Sequence, residues 1–122
     1  VENKIQRVTF PSGSAITAQY RFGKLDSEGK IVPCSVDGEK AVGVIQEKAA
    51  DSNREVAVGI GGIMDVECGT NITAGARVST DSQGRAVPVG SSDDNSLGVA
   101  VEGNAGGAGA IIGILWQPLG TA

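Results

Sequence analysis

Asp65 and Glu67 stand two residues apart in the run Ile63-Met64-Asp65-Val66-Glu67-Cys68. Side chains alternate between faces of an extended chain, so the two carboxylates point the same way. Such a pair could serve as acid and base on a glycosidic bond, or hold a cation. The alternation also explains them without chemistry, as the wet side of a half-buried strand whose dry side is Met64, Val66 and Cys68. The second explanation is the simpler, and we take it as the expectation.

The remaining candidates are thinner. The chain has no histidine, which removes Ser-His-Asp and Cys-His nucleophile systems and histidine-ligated metals. Cys34 and Cys68 have no base nearby in sequence and read as buried structural thiols; two cysteines make no disulfide framework, and whether they form one bridge stays open. Asp93-Asp94-Asn95 and Asp81-Ser82-Gln83-Gly84 resemble fragments of calcium loops but lack the twelve-residue pattern with its closing Glu, so solvated turns are expected. Gly59-Ile60-Gly61-Gly62 and Gly103-Asn104-Ala105-Gly106-Gly107 lack the following helix and the lysine or distal acid of a nucleotide site. Asn71-Ile72-Thr73 matches a glycosylation sequon, which matters only in a secreted eukaryotic protein. No catalytic residue, metal site or cofactor is expected.

The elements that would position these residues are short strands. The 122 residues suit one domain with a modest core. Fourteen acidic against ten basic residues give a net charge of −4, so no nucleic-acid partner is expected. No apolar run reaches the length of a membrane-spanning helix, so no membrane partner is expected either. The opening Val1-Glu2-Asn3-Lys4 does not read as a signal peptide, though a removed signal would leave the same start. Aromatic residues are few (Phe10, Tyr20, Phe22, Trp116), so Val, Ile and Ala must build the core. Nineteen glycines, scattered through apolar stretches, point to tight turns and close strand crossings.

One stretch occurs twice. Leu25-Asp26-Ser27-Glu28-Gly29-Lys30-Ile31-Val32-Pro33 returns as Thr80-Asp81-Ser82-Gln83-Gly84-Arg85-Ala86-Val87-Pro88 without a gap, and Gly43, Val44 and Glu47 return as Gly98, Val99 and Glu102. Two copies are too few for a solenoid and indicate a duplicated β unit, over residues 21–62 and 76–117. In each copy a Gly tolerates positive φ at the turn, and the preceding Asp or Ser can bond back to the backbone. Further strands are expected within 15–25, with Tyr20 and Phe22 on one face, and over 30–34, 41–46, 55–60, 63–68, 77–79 and 110–116. At the last of these the match fails: Val56-Ala57-Val58 can be laid on Ile111-Ile112-Gly113 at the same offset, or slipped by one to place Val56, Val58 and Ile60 on Ile112, Ile114 and Trp116. Since a slip of one swaps faces, a bulge or a loop change must intervene if the two units are equivalent. Residues 91–95 read as an exposed acidic loop. No amphipathic helix of three turns is present. The expected fold is all-β: a small closed or partly open β-barrel or sandwich over residues 15–122, preceded by an N-terminal arm over residues 1–14. Ile5, Val8 and Phe10 are costly to leave in water, so the arm is expected to dock on something.

The order of phrases Ala41-Val42-Gly43-Val44-Ile45, Glu55-Val56-Ala57-Val58-Gly59-Ile60-Gly61-Gly62-Ile63, Ile72-Thr73-Ala74-Gly75-Ala76-Arg77-Val78, Gly84-Arg85-Ala86-Val87-Pro88 and Leu97-Gly98-Val99-Ala100-Val101 resembles the capsid cement, or head decoration, proteins of tailed bacteriophages, over roughly residues 15 to 115. The resemblance implies a non-enzymatic virion protein with a barrel- or tulip-like core. It would be made in the host cytoplasm and sit on the outside of the expanded head as a homotrimer that staples neighbouring major capsid protein subunits. On that reading Ile5, Val8 and Phe10 are the arm residues that touch the capsid; Ile63, Met64 and the strand from Ile111 to Trp116, which carry more apolar surface than a 122-residue monomer easily hides, contribute to oligomer or capsid contacts. Phe10→Ala is then expected to weaken shell binding more than the free fold. The rivals are a glycan- or protein-binding module, which needs an exposed aromatic cluster, and a small hydrolase built on Asp65 and Glu67.

Overall fold

The computed structural model describes residues 5–90 and 94–121. Among the described residues there are ten strands: β1 (Gln6–Pro11), β2 (Arg21–Leu25), β3 (Ile31–Pro33), β4 (Gly43–Ile45), β5 (Glu55–Gly61), β6 (Ile63–Glu67), β7 (Arg77–Thr80), β8 (Ala86–Pro88), β9 (Asn95–Ala100) and β10 (Ile111–Thr121). They form two antiparallel sheets, ordered β1-β5-β4-β2-β3 and β6-β10-β9-β7-β8. The second order is the first with every strand number raised by five. No helix among the described residues is long and apolar enough to cross a membrane.

The repeated turn explains the local chemistry of both sheets. The Oδ1 of Asp26 accepts from the amides of Glu28 and Lys30, and the Oδ1 of Asp81 accepts from those of Gln83 and Arg85. Gly29 and Gly84 follow at φ 77° and 79°, the left-handed region where a side chain is strained. Asp81 also pairs with Arg85 at 2.9 Å, so its carboxylate is committed to the turn and not to a cation. Beyond the turn, Glu47 Oε1 accepts from the Ala57 amide and Glu102 Oε1 from that of Gly113, both at 2.8 Å.

The structure resolves the one-residue slip. Ile45 pairs with Val58, and Ala100 pairs with Ile114, so Val56 and Val58 correspond to Ile112 and Ile114. All four are buried. The extra residue sits in the connection, which runs over residues 46–54 in the first half and 101–110 in the second. A loop change therefore absorbs the slip and keeps both apolar faces inward. Farther on, β10 does carry a register shift, between Trp116 and Gly120. It spans Pro118, which cannot donate to the ladder. The final strand accordingly runs past the expected stop.

The first strand departs most from expectation. Residues 6–11, expected in an extended arm, pair with β5 along the edge of the first sheet, with Phe10 opposite Val56 and Val8 opposite Val58. Strand β6 pairs with β10 in the same way, Val66 opposite Ile112 and Met64 opposite Ile114. Phe10 thus corresponds to Val66, and Val8 to Met64. After each strand an isolated parallel bridge leads across the half, Ser12 to Ile31 and Cys68 to Ala86. The repeat therefore begins at the first strand, before residue 21. Residues 1–4 lie outside those described.

Two smaller corrections concern Tyr20 and Asn95. Tyr20 takes φ 63° and so does not share a strand face with Phe22. Asn95, expected in an exposed loop, opens β9 and is buried, its amide and side chain both donating to the Gly38 carbonyl. Residues 91–93 lie outside those described.

The core has two parts. Ile16, Ile31, Ile45, Val56 and Val58 fill the first sheet's own apolar face, with Phe10, Val42 and Ile60 packed at its margin. The corresponding face of the second sheet, which carries Met64, Val66, Val78, Leu97, Ile112 and Ile114, is covered in addition by Phe22, Cys34 and Val44 from the opposite face of the first sheet. Backbone bonds fix this docking: Phe22 N donates to Gly84 O at 2.7 Å and Glu67 N to Tyr20 O at 2.9 Å.

Candidate interaction surfaces

The carboxylate pair does not form a reactive site. Asp65 is exposed and borders an open groove lined by Ile5, Arg7, Gln46, Ile63 and Val101. Glu67 does not join it there as a free acid. Both its oxygens accept from Arg21 Nη2, at 3.2 and 3.1 Å, and Arg21 Nη1 reaches on to the Gln83 carbonyl. The Glu67 carboxylate is thus part of the joint between the sheets. Among the described residues no group of three or more His, Cys, Asp or Glu could hold a metal ion.

Cys34 and Cys68 are free and buried in the core between the sheets. Burial, reinforced by the charge of Glu39, pushes the Cys34 thiol from its ordinary 9.0 up to about 12, and burial raises Cys68 too. The sign of the consequence follows from proton linkage. Above pH 9.0 the unfolded chain sheds the Cys34 proton while the folded chain keeps it, so stability is whole below that pH and falls as pH rises toward about 12. Urea unfolding at about pH 10.5 is expected to show about 2 kcal/mol less contribution from Cys34 than at neutral pH. Cys34→Ala should lose correspondingly less over the same interval; equal losses in both proteins would remove Cys34 as the cause.

The residues expected at interfaces fall in different places. Val8 is exposed at 39%, on the apolar side of β1. Phe10 is half-buried against the first sheet's core, so Phe10→Ala disturbs the free fold as well as any contact. Ile5 is half-buried between the sheets, next to Gly59. Met64 is only 2% exposed and belongs to the core, which corrects its expected place at a surface. Ile63 is half-exposed on the outward face of the second sheet. Trp116 is half-buried, its ring 6.3 Å from that of Phe22. Phe22 is wholly buried, so the aromatic cluster needed by a glycan-binding module is not at the surface.

The surplus apolar surface expected at Ile63 and over Ile111 to Trp116 lies on one outward row, whose members Leu115, Val99 and Val101 sequence reasoning did not single out. Leu115 pairs with both Ile63 and Val99, and Val99 pairs with Arg77, so these four residues run side by side across β6, β10, β9 and β7. Val101 stands next to them, its amide bonded to Gly113. Leu115 and Val101 are exposed at 38% and 44%. The signal was period two within Ile111-Ile112-Gly113-Ile114-Leu115: once Ile112 and Ile114 face inward, Ile111 and Leu115 must face out. The protein therefore presents exposed apolar side chains at Val8 on the first sheet and at Leu115 and Val101 on the second.

The base of the head fibre gp8.5 of bacteriophage phi29 has a similar fold, with a TM-score of 0.70 at 19% identity, over 93% of this chain and 95% of that one. No curated protein matches the sequence. The family described as phage cement protein matches residues 2–115, and the chain belongs to that family.

Proposed function

We propose that this protein binds the outside of the expanded phage head as a homotrimer and cements neighbouring copies of the major capsid protein. The observation that carries the reading is the family match across residues 2–115. Phage cement proteins are structural and non-enzymatic, so the role is adhesion and stabilisation within the virion. The fold shared with the base of a phage head fibre supports a place on the capsid surface. Two similar sheets joined by backbone bonds and a buried core make a stiff body, which a lattice staple requires. On this reading each half is a small, partly open barrel, a shape supported by the bridges from Ser12 to Ile31 and from Cys68 to Ala86. The capsid-facing set is Ile5, Val8 and Phe10, on and just before β1, whose free edge can accept another strand. Synthesis in the host cytoplasm precedes addition to the head.

The test is co-sedimentation with expanded heads that lack the protein, alongside unexpanded heads. Saturable binding to the expanded form, with a rise in the temperature at which the heads rupture, is expected. Absence of binding, or binding with no gain in head stability, would sink the reading.

A further inference from the structure

The internal repeat allows one half of the molecule to be used as a template for the other. In the second half, Met64, Val66, Leu97 and Trp116 form an apolar face that Phe22, Val44 and Cys34 of the first half cover. By register, the same positions in the first half are Val8, Phe10, Val42 and Ile60. Met64, Val66 and Leu97 are buried, whereas Val8 is exposed and Phe10, Val42 and Ile60 are half-exposed. The covering positions have their own counterparts. Phe22, Val44 and Gly59 of the first half correspond to Arg77, Val99 and Leu115 of the second, which lie in the outward row beside Ile63 and Val101. Each surface that is buried within the chain thus has an uncovered equivalent elsewhere on the same chain.

We propose that the outward row of the second sheet, centred on Leu115 and Val99, docks on the Val8 face of the first sheet of another copy, repeating between molecules the packing seen between halves. This deepens the self-association reading above and does not depend on capsid binding. The occupant follows from the repeat, because the chain already carries both partners of that contact in a second version. Bulk is redistributed across it in a compatible way. Within the chain Met64 meets Gly59, its sulfur only 2.2 Å from where a Cβ on Gly59 would stand. Between copies, Val8 would meet Leu115, so the larger side chain changes sides. Val99 takes the place of Val44, and Arg77 lies toward Ile60 where Phe22 lies against Trp116. One feature is not repeated: the Arg21–Glu67 ion pair has Ala76 and Pro11 at its equivalent positions. The contact between copies is accordingly the weaker one and forms after each chain has folded.

Such a contact is heterologous, one surface against a different one, and it builds a ring where the rotation closes. That property gives a sharp test. Val8→Asp and Leu115→Asp are each measured for mass in solution over a concentration series, and then mixed in equal amounts. Wild type is expected to form a closed oligomer of a few chains, and each variant alone to be monomeric. The mixture is expected to give a heterodimer, because Val8→Asp retains an intact Leu115 surface and Leu115→Asp retains an intact Val8 surface. Where Leu115→Asp fails to fold, Val101→Asp on the same row replaces it, and Val8→Lys serves for the other side. A wild type that stays monomeric, or a mixture that does, overturns the proposal. Variants that keep the wild-type mass overturn the assigned surfaces while leaving self-association standing, and head binding by Leu115→Asp, whose substitution lies outside the capsid-facing set, reports on the capsid reading separately.

Discussion

Phe22→Ala is expected to cost about 3–5 kcal/mol, a large part of the roughly 5–15 kcal/mol that holds an ordinary domain together. Phe22 is the bulkiest of the fully buried side chains. It leaves the first sheet on the side away from that sheet's own core and enters the core of the second, where it packs with Val66, Leu97, Ile114 and the margin of Trp116. Its removal opens a cavity at the joint between two sheets, which cannot collapse without moving one sheet against the other. The backbone bond from Phe22 N to Gly84 O and the Arg21–Glu67 pair resist that movement. Chemical unfolding should therefore show a large drop in midpoint, and the fluorescence of Trp116 should shift to the red in the folded baseline as its neighbour is lost. Phe10→Ala provides the contrast, since Phe10 lies at the edge of its core. It should cost less than half as much and leave Trp116 unchanged. Comparable losses in the two variants would mean that the joint is not held by Phe22.

These features were unequally legible in the sequence. The Asp-x-x-Gly turns could be read because their chemistry is local: a carboxylate bonds amides two and four residues on, and a glycine takes the left-handed conformation. The faces of β6 could be read because Asp65 and Glu67 alternate with Met64 and Val66. Strand β1 could not be assigned to the repeat. Val8 and Phe10 share no identity with Met64 and Val66, and their partners Val58 and Val56 lie far along the chain. A short apolar segment with no local partner reads as an arm for that reason. Which half covers the other was also out of reach. Phe22 and Arg77 occupy equivalent positions, yet one is a core residue and the other is bonded to Gln117 at the surface. That asymmetry is a property of tertiary packing between copies of one motif, and no periodicity within either copy encodes it. The outward row of Leu115 and Val99 was hidden for the opposite reason, inside a run so apolar that its two faces looked alike.

Gly43→Ala and Gly98→Ala carry the second large expected effect, and they test the repeat itself. Both glycines sit where a strand crosses close to its neighbour. A Cβ on Gly43 would stand 2.2 Å from the carbonyl oxygen of Gly59, and one on Gly98 would stand 2.4 Å from that of Leu115. Gly59 and Leu115 are themselves equivalent by register, so the same crossing has been built twice. A flexible side chain could swing away from an added methyl, but a carbonyl bound into a sheet cannot. Strand β5 or β10 would have to separate from its partner, which forfeits ladder bonds beside the buried Val58 or Ile114. Overpacking of this kind costs about 1–3 kcal/mol and can exceed that where backbone is the obstacle. Losses at or above the top of that range are expected at both sites. Gly103→Ala is the control, because its Cβ would meet nothing nearer than 3.4 Å. It should melt within a few degrees of wild type. Should Gly98→Ala match that control while Gly43→Ala does not, the two halves differ in how closely their strands approach, and their equivalence is confined to the order of strands.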